Sequence, residues 1–65
     1  MGFKIKKSMA ITSHLSDVQE MISFGDVDKA SLRINFVKML VQDERTEMTE
    51  DELNEVWRKC VERYA

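Results

Sequence analysis

The sequence predicts an all-α protein, a small three-helix bundle with an extended or flexible N-terminal tail. Its 65 residues include no proline and only two glycines, so few positions interrupt a helix. Apolar side chains recur every three or four residues in three segments that are separated by short polar stretches. The last segment opens with a helix-capping motif. We expect helices at about residues 9–24, 27–42 and 50–64, so that residues 9–65 form a single helical domain and residues 1–8 a basic tail.

The N-terminal segment, MGFKIKKS, alternates apolar and basic residues. Phe3 and Ile5 alternate with Lys4 and Lys6, which is the period of a β-strand. The rest of the sequence offers no second strand to pair with it. Two interpretations stay open: a flexible basic tail, or a strand that pairs with the sheet edge of another molecule.

The first helix presents one narrow apolar stripe. The side chains that share this stripe at 100° per residue are Ile11, Leu15, Val18 and Ile22. Its possible N-caps are Ser8, Thr12 and Ser13. Gly25 stands where a left-handed residue would end the helix, and Asp26 or Asp28 can cap the helix that follows.

The second helix contains the most apolar stretch of the chain, LRINFVKMLV at residues 32–41. The alternation expected of a strand fails there at Val37, whereas a helical pattern extends smoothly from the preceding residues. One apolar set points to one side of this helix and comprises Leu32, Phe36, Met39 and Leu40. A second set points roughly the opposite way and comprises Ala30, Ile34, Val37 and Val41.

This second helix has more apolar surface than two neighbouring helices can cover. A helix facing one core usually has an apolar stripe little more than 100° wide, and monomeric proteins avoid large exposed apolar patches. We therefore expect a second copy of the chain, or a different protein, to cover the surplus. The candidate partner-binding residues on this helix are Ile34, Val37 and Val41.

The third helix has the clearest local signals. Thr49 and Glu52 have the spacing of a capping box, in which each side chain binds the other residue's backbone N–H. Glu55 can pair with Lys59 one turn later. Its single apolar face comprises Leu53, Val56, Trp57, Cys60, Val61 and Tyr64.

An acidic segment, QDERTEMTEDE, joins the second and third helices. One interpretation is a solvated loop whose acidic side chains also stabilise the positive N-terminal end of the third helix. The other is a surface that binds a basic partner, such as the nucleic-acid-binding groove of another protein. Under the second interpretation, further candidate partner-binding residues are Asp43, Glu44 and Glu47.

The sequence contains no catalytic, cofactor-binding or metal-binding pattern that we can identify. Cys60 lies within the apolar stripe of the third helix, which predicts a buried structural thiol instead of a nucleophile paired with His14. Asp26 and Asp28 begin like a calcium loop, but Ser31 stands where that loop requires glycine. We expect no enzyme activity, no cofactor and no small-molecule substrate.

Net charge and hydropathy argue against membrane, secreted and nucleic-acid-binding proteins. The formal net charge is −2, and no apolar run has the length of a signal peptide core or a membrane span. We therefore expect a cytoplasmic protein that does not bind membranes. A small DNA-binding regulator is an alternative, but acids at the start of the third helix would repel phosphates, so nucleic acid is not the expected partner.

The expected function is contact with other proteins. The sequence indicates a non-enzymatic helical interaction module that self-associates or binds a larger assembly. A small accessory or inhibitor protein of a virus or mobile element would have this character. The alternative within the same class is a structural subunit or adaptor of a larger complex.

Overall fold

Three helices and one short two-stranded sheet make up the computed structural model, which describes residues 3–65. The elements in chain order are β1 (Lys4–Lys6), α1 (Lys7–Ser23), α2 (Val27–Gln42), β2 (Glu47–Thr49) and α3 (Glu50–Tyr64). The prediction of three helices is confirmed, and α2 and α3 have the expected bounds. The described chain is mostly helical and compact, with a radius of gyration of 11.8 Å. No helix within residues 3–65 is both long enough and apolar enough to cross a membrane.

The β1–β2 sheet corrects the expectation of an all-α chain with a free N-terminal tail. The strands are antiparallel, with Ile5 opposite Met48 and Lys6 opposite Glu47. The prediction that the chain holds no second strand is therefore wrong, and Lys4–Lys6 pairs within its own molecule. The partner strand has only three residues in an otherwise polar segment, too few to show an alternating pattern. Residues 1 and 2 of the expected tail lie outside the described residues.

The sheet also determines where α1 begins. The helix starts at Lys7 instead of residue 9, and its N-cap position, Lys6, makes no side-chain capping bond. The backbone N–H of Lys7 instead donates to the carbonyl oxygen of Thr46 at 2.9 Å. The predicted caps, Ser8, Thr12 and Ser13, all lie inside the helix. Backbone pairing beside β2 thus takes the place of a capping side chain.

The turn between α1 and α2 depends on Gly25, as predicted. Gly25 has a φ of 78°, a left-handed conformation that costs little without a Cβ. Its N–H donates to the carbonyl oxygen of Ile22 at 3.0 Å, and the N–H of Asp26 donates to that of Met21 at 2.8 Å. This pair of bonds is a Schellman motif, which ends α1 within one turn. Asp26 occupies the N-cap of α2, although its side chain makes no capping bond.

The capping box at the start of α3 is present as predicted. The backbone N–H of Thr49 donates to Oε1 of Glu52 at 2.8 Å, and the N–H of Glu52 donates to Oγ1 of Thr49 at 3.2 Å. Glu55 and Lys59 also form the expected pair, with Oε1 and Nζ 3.7 Å apart. Two free backbone N–H groups at the helix start are therefore satisfied by side chains.

The main core joins α2, β2 and α3. Its buried residues are Phe36, Leu40, Met48, Val56 and Cys60, and Ile11, Leu32, Met39, Leu53 and Trp57 pack against them. The thiol of Cys60 donates to the carbonyl oxygen of Leu32 at 3.6 Å. Burial raises the pKa of this thiol, so Cys60 stays protonated and fills space as an apolar residue. The predicted buried position of Cys60 is confirmed.

Candidate protein interface

The structure separates the three candidate residues that were predicted on α2. Val41 and Ile34 are exposed, with 61% and 38% of their surface accessible, but Val37 is buried at 8%. The assignment of Val37 to an uncovered face is therefore wrong. At about 100° per residue, Val37 lies on the arc of α2 between Ala30 and Leu40, which are both buried. The uncovered part of α2 is a strip beside that arc.

Two rows of exposed apolar side chains lie along α1 and α2, and we call them together the hairpin face. The α1 row consists of Leu15 and Ile22, and the α2 row of Val27, Ile34 and Val41; all five are exposed. Successive members of each row are seven residues apart. Residues at this spacing lie two turns apart on the same side of a helix, within about 20°. Each row is therefore a straight apolar strip.

Contacts across the hairpin show that α1 and α2 run antiparallel. Lys7 bonds to the carbonyl oxygen of Asp43, the rings of His14 and Phe36 lie 4.8 Å apart, and Arg33 Nη1 lies 3.5 Å from Asp17 Oδ2. The residue numbers rise on α1 as they fall on α2. Leu15 is therefore level with Ile34, as Ile22 is with Val27.

The two rows lie on the same side of the hairpin, away from α3. The guanidinium of Arg33 contacts His14 on α1 and lies 5.0 Å from the ring of Trp57, so this side of the hairpin faces α3. Leu15 follows His14 and Ile34 follows Arg33 by one residue, a rotation of about 100° in each case. Because the helices are antiparallel, the same rotation carries both rows to the side opposite α3.

The first half of α1 is almost free of charge, and Glu20 is exposed in its second half. Residues 8–16 include no Asp, Glu, Lys or Arg, although 34% of the chain is charged. Two of its exposed hydroxyl groups bond within the helix: Thr12 donates to the carbonyl of Ser8 at 3.0 Å, and Ser16 donates to the carbonyl of Thr12 at 3.3 Å. Burying these two groups against another surface would leave neither donor unsatisfied.

The outer side of α3 has the opposite character. Its exposed charged residues are Glu50, Asp51, Glu55, Arg58, Lys59, Glu62 and Arg63. The molecule thus has a strongly charged side on α3 and a less charged, partly apolar side on the α1–α2 hairpin, whose exposed charged residues are Glu20, Asp28, Lys29 and Lys38. Protein interfaces are depleted of charge at their centre, so this distribution selects the hairpin face as the candidate interface.

The acidic segment is less available to a partner than the sequence suggests. The carboxylate of Asp43 accepts bonds from Nε and Nη2 of Arg45, at 2.9 Å and 2.7 Å, and from the backbone N–H of Arg45 at 2.9 Å. These bonds hold the pKa of Asp43 well below its usual range. Arg45 also binds Oε2 of Glu52 at 2.8 Å through Nη1. Asp43 and Glu52 therefore have a cationic partner within the chain.

The other two acidic candidates remain exposed. Glu44 lies in the loop after α2, and Glu47 lies on β2 opposite Lys6. Neither forms an ion pair with any of the residues 3–65. Asp43 and Glu44 follow closely on Val41, so the acidic segment begins at the end of the hairpin face where α2 ends.

A cluster of four side chains that the sequence did not reveal holds the three helices together. Arg33 on α2 reaches Trp57 on α3, and His14 and Asp17 on α1. Burial, and then the charge of Arg33, lower the pKa of His14, whereas Asp17 raises it. Each of these contacts joins residues far apart in the chain, so periodicity within one helix could not have predicted them.

Metal binding has no geometric support in the described chain. Across residues 3–65, no group of three or more His, Cys, Asp or Glu side chains is placed so that it could hold a metal ion.

No protein-family model, curated protein or solved structure matches the chain.

Proposed function

We propose that this protein is a non-enzymatic interaction module that acts through its hairpin face. In this proposal the three helices form a small bundle, in one domain that also includes the β1–β2 sheet. The observation that carries the proposal is the pair of straight, exposed apolar rows on one side of the hairpin. The positions that would contact a partner are Leu15, Ile22, Val27, Ile34 and Val41.

The physical reason is the free energy of leaving apolar surface in water. Burial of apolar surface contributes roughly 25 cal/mol per Å², and large exposed patches on small proteins usually mark binding sites. A chain of this size buries only about 60% of its unfolded surface, so a partner would also stabilise the fold. The bonded hydroxyls of Thr12 and Ser16 lower the cost of covering α1.

The acidic segment supports a second, electrostatic contribution to binding. Glu44 and Glu47 are exposed and unpaired within residues 3–65, so they remain candidates for contact with a basic partner. Asp43 is held by Arg45 and contributes mainly to the loop structure. Charges at the edge of an interface chiefly accelerate encounter and select partners. We assign Glu44 and Glu47 that role.

Two biological settings fit an interaction module of this kind. One is a small cytoplasmic accessory or inhibitor protein of a virus or mobile element, which must fold before it meets its target. The other is a structural subunit or adaptor of a larger complex, whose fold depends on its neighbours. Cooperative unfolding of the isolated, pure chain would favour the first setting, and a chain that folds only with an added partner would favour the second.

The experiment compares variants in the cells from which the protein comes. Tagged wild-type protein, Leu15→Glu and Tyr64→Glu are cross-linked before lysis, and the captured proteins, including untagged copies of the chain, are quantified by mass spectrometry. Leu15 and Tyr64 are equally exposed, at 47%, but only Leu15 lies on the hairpin face. The proposal expects capture to fall tenfold or more in Leu15→Glu alone, on the order of 1.4 kcal/mol. Equal capture by all three forms would contradict it.

Val37→Glu is unsuitable for this comparison. Its side chain is buried, so a carboxylate there would be expected to unfold the chain instead of testing the interface.

A further inference from the structure

We propose that the hairpin face is covered by a second copy of the same chain, in a symmetric homodimer with a four-helix core. This inference rests on the proposed interaction function and names its partner. Two α1–α2 hairpins would pack face to face, with each α3 on the outside. Four antiparallel helices joined by short turns form such cores readily, and their interior positions repeat in heptads.

The α1 row of one copy matches the α2 row of a second copy. Within one chain, Leu15 is level with Ile34 and Ile22 is level with Val27. A two-fold axis parallel to the helices preserves these levels while it places the α1 row of each copy against the α2 row of the other. Leu15 of one copy would then meet Ile34 of the other, and Ile22 would meet Val27. At the remaining level the small side chain of Ser8 leaves room for Val41.

The charge distribution favours a second copy. Each chain has a formal charge of −2, and most exposed charges lie on α3 and in the acidic segment, so two copies meeting through those surfaces would repel one another. The hairpin face carries no charge between its rows, and exposed Lys38 lies beside the α2 row, about 40° around the helix from Ile34. Matching apolar rows, which this chain itself supplies, are what the face can recognise.

The size of the hairpin face agrees with a protein interface. A standard interface buries roughly 800 Å² of each partner. One side of a hairpin about 25 Å long and about 20 Å wide provides a surface of this order.

Sedimentation equilibrium of the full chain between about 5 µM and 1 mM tests the dimer. The proposal expects a mass near twice 7.6 kDa at the highest concentration, falling toward 7.6 kDa on dilution. Leu15→Glu and Val41→Glu should weaken association on the order of a hundredfold, because each dimer would carry two carboxylates on a buried surface. Both should retain a helical far-UV circular dichroism spectrum. The equally exposed Tyr64→Glu control should associate like the wild type.

Disulfide trapping tests the arrangement of the helices. Leu15→Cys and Ile34→Cys are purified separately, mixed and oxidised; the native Cys60 is buried in the core. If α1 of one copy meets α2 of the other, the disulfide joining one chain of each variant will predominate. Predominant disulfides between identical variants would instead place α1 against α1 and overturn the proposed axis.

The outcomes distinguish this inference from the function on which it rests. A wild-type mass of 7.6 kDa at 1 mM would overturn the homodimer. If Leu15→Glu still lost a cross-linked protein in cells, the interaction function would stand with a foreign partner. A dimer that persisted in both Leu15→Glu and Val41→Glu would place self-association on another surface and overturn this inference, while the cross-linking experiment would still decide the interaction function.

Discussion

Nη1 of Arg33 lies 3.0 Å from Nδ1 of His14, and the bond requires a neutral histidine because Nδ1 must accept the hydrogen. The same guanidinium packs 5.0 Å from the ring of Trp57. One side chain therefore links all three helices, and it does so from a largely enclosed position.

Arg33→Ala should destabilise the fold by about 1–3 kcal/mol. The substitution removes the bond to His14, the cation–π contact with Trp57 and the packing of the long side chain. Urea denaturation followed by the fluorescence of Trp57 measures the change. Lys29→Ala is the matched control, because Lys29 is exposed and its pair with Asp26 is worth under about 1 kcal/mol. A loss no larger than that of the control would show that the cluster does not secure the helices.

Acidification should weaken the protein through His14. Burial lowers the pKa of His14 below its ordinary value of 6.5, so the unfolded chain takes up a proton at a higher pH than the folded chain does. The unfolding free energy should therefore be fully present above about pH 6.5 and decline as the pH falls toward the folded pKa. Denaturation midpoints between pH 7.5 and 5.5 measure this, a range above most carboxylate titration.

His14→Gln provides the control for that pH series. Glutamine does not titrate, so the variant should show a nearly flat dependence over the same range. A wild-type slope that survives unchanged in His14→Gln would assign the effect to another group.

Thr49→Ala should cost about 1 kcal/mol of stability. It removes the hydroxyl that accepts the backbone N–H of Glu52, and it leaves one end of the capping box unmade. Thr12→Ala provides the comparison, since the Thr12 hydroxyl bonds only to its own helix at an exposed site. Chemical denaturation at neutral pH should separate the two variants; equal midpoints would mean that the box contributes little.

Met48→Ala should destabilise the protein by about 2–5 kcal/mol, whereas Met9→Ala should be nearly neutral. Met48 has no exposed surface and lies in the main core, while Met9 is 64% exposed on α1. Truncation of a buried side chain loses burial free energy and leaves a cavity. The comparison, made by thermal or urea unfolding, tests whether β2 belongs to the core, because a tolerated Met48→Ala would place its side chain elsewhere.

Much of the helical structure could be predicted because its signals are local. The period of three and four residues, the Gly25 turn and the Thr49–Glu52 box each lie within a few residues of sequence. The β1–β2 sheet could not be predicted in this way. Its second strand is three residues long, and its register depends on Ile5 meeting Met48 across two intervening helices.

The error at Val37 has a related cause. Periodicity divided the apolar residues of α2 into two opposite sets, but it could not show which arc of the helix α1 would cover. The covered arc runs from Phe36 through Leu40 and Val37 to Ala30, and it takes members from both sets. Ile34 and Val41 lie just beyond its edge. Helical angles define the shape of an apolar surface, and the neighbouring element decides which part of it stays uncovered.

The pairing of Lys4 with Thr49 has a consequence for the order of folding events. Both α1 and α2 lie between the two paired residues, so this contact closes most of the chain into one loop. The α1–α2 hairpin joins neighbouring segments and closes a much shorter loop. We therefore expect the two short strands to pair after the hairpin has formed, as the step that completes the fold.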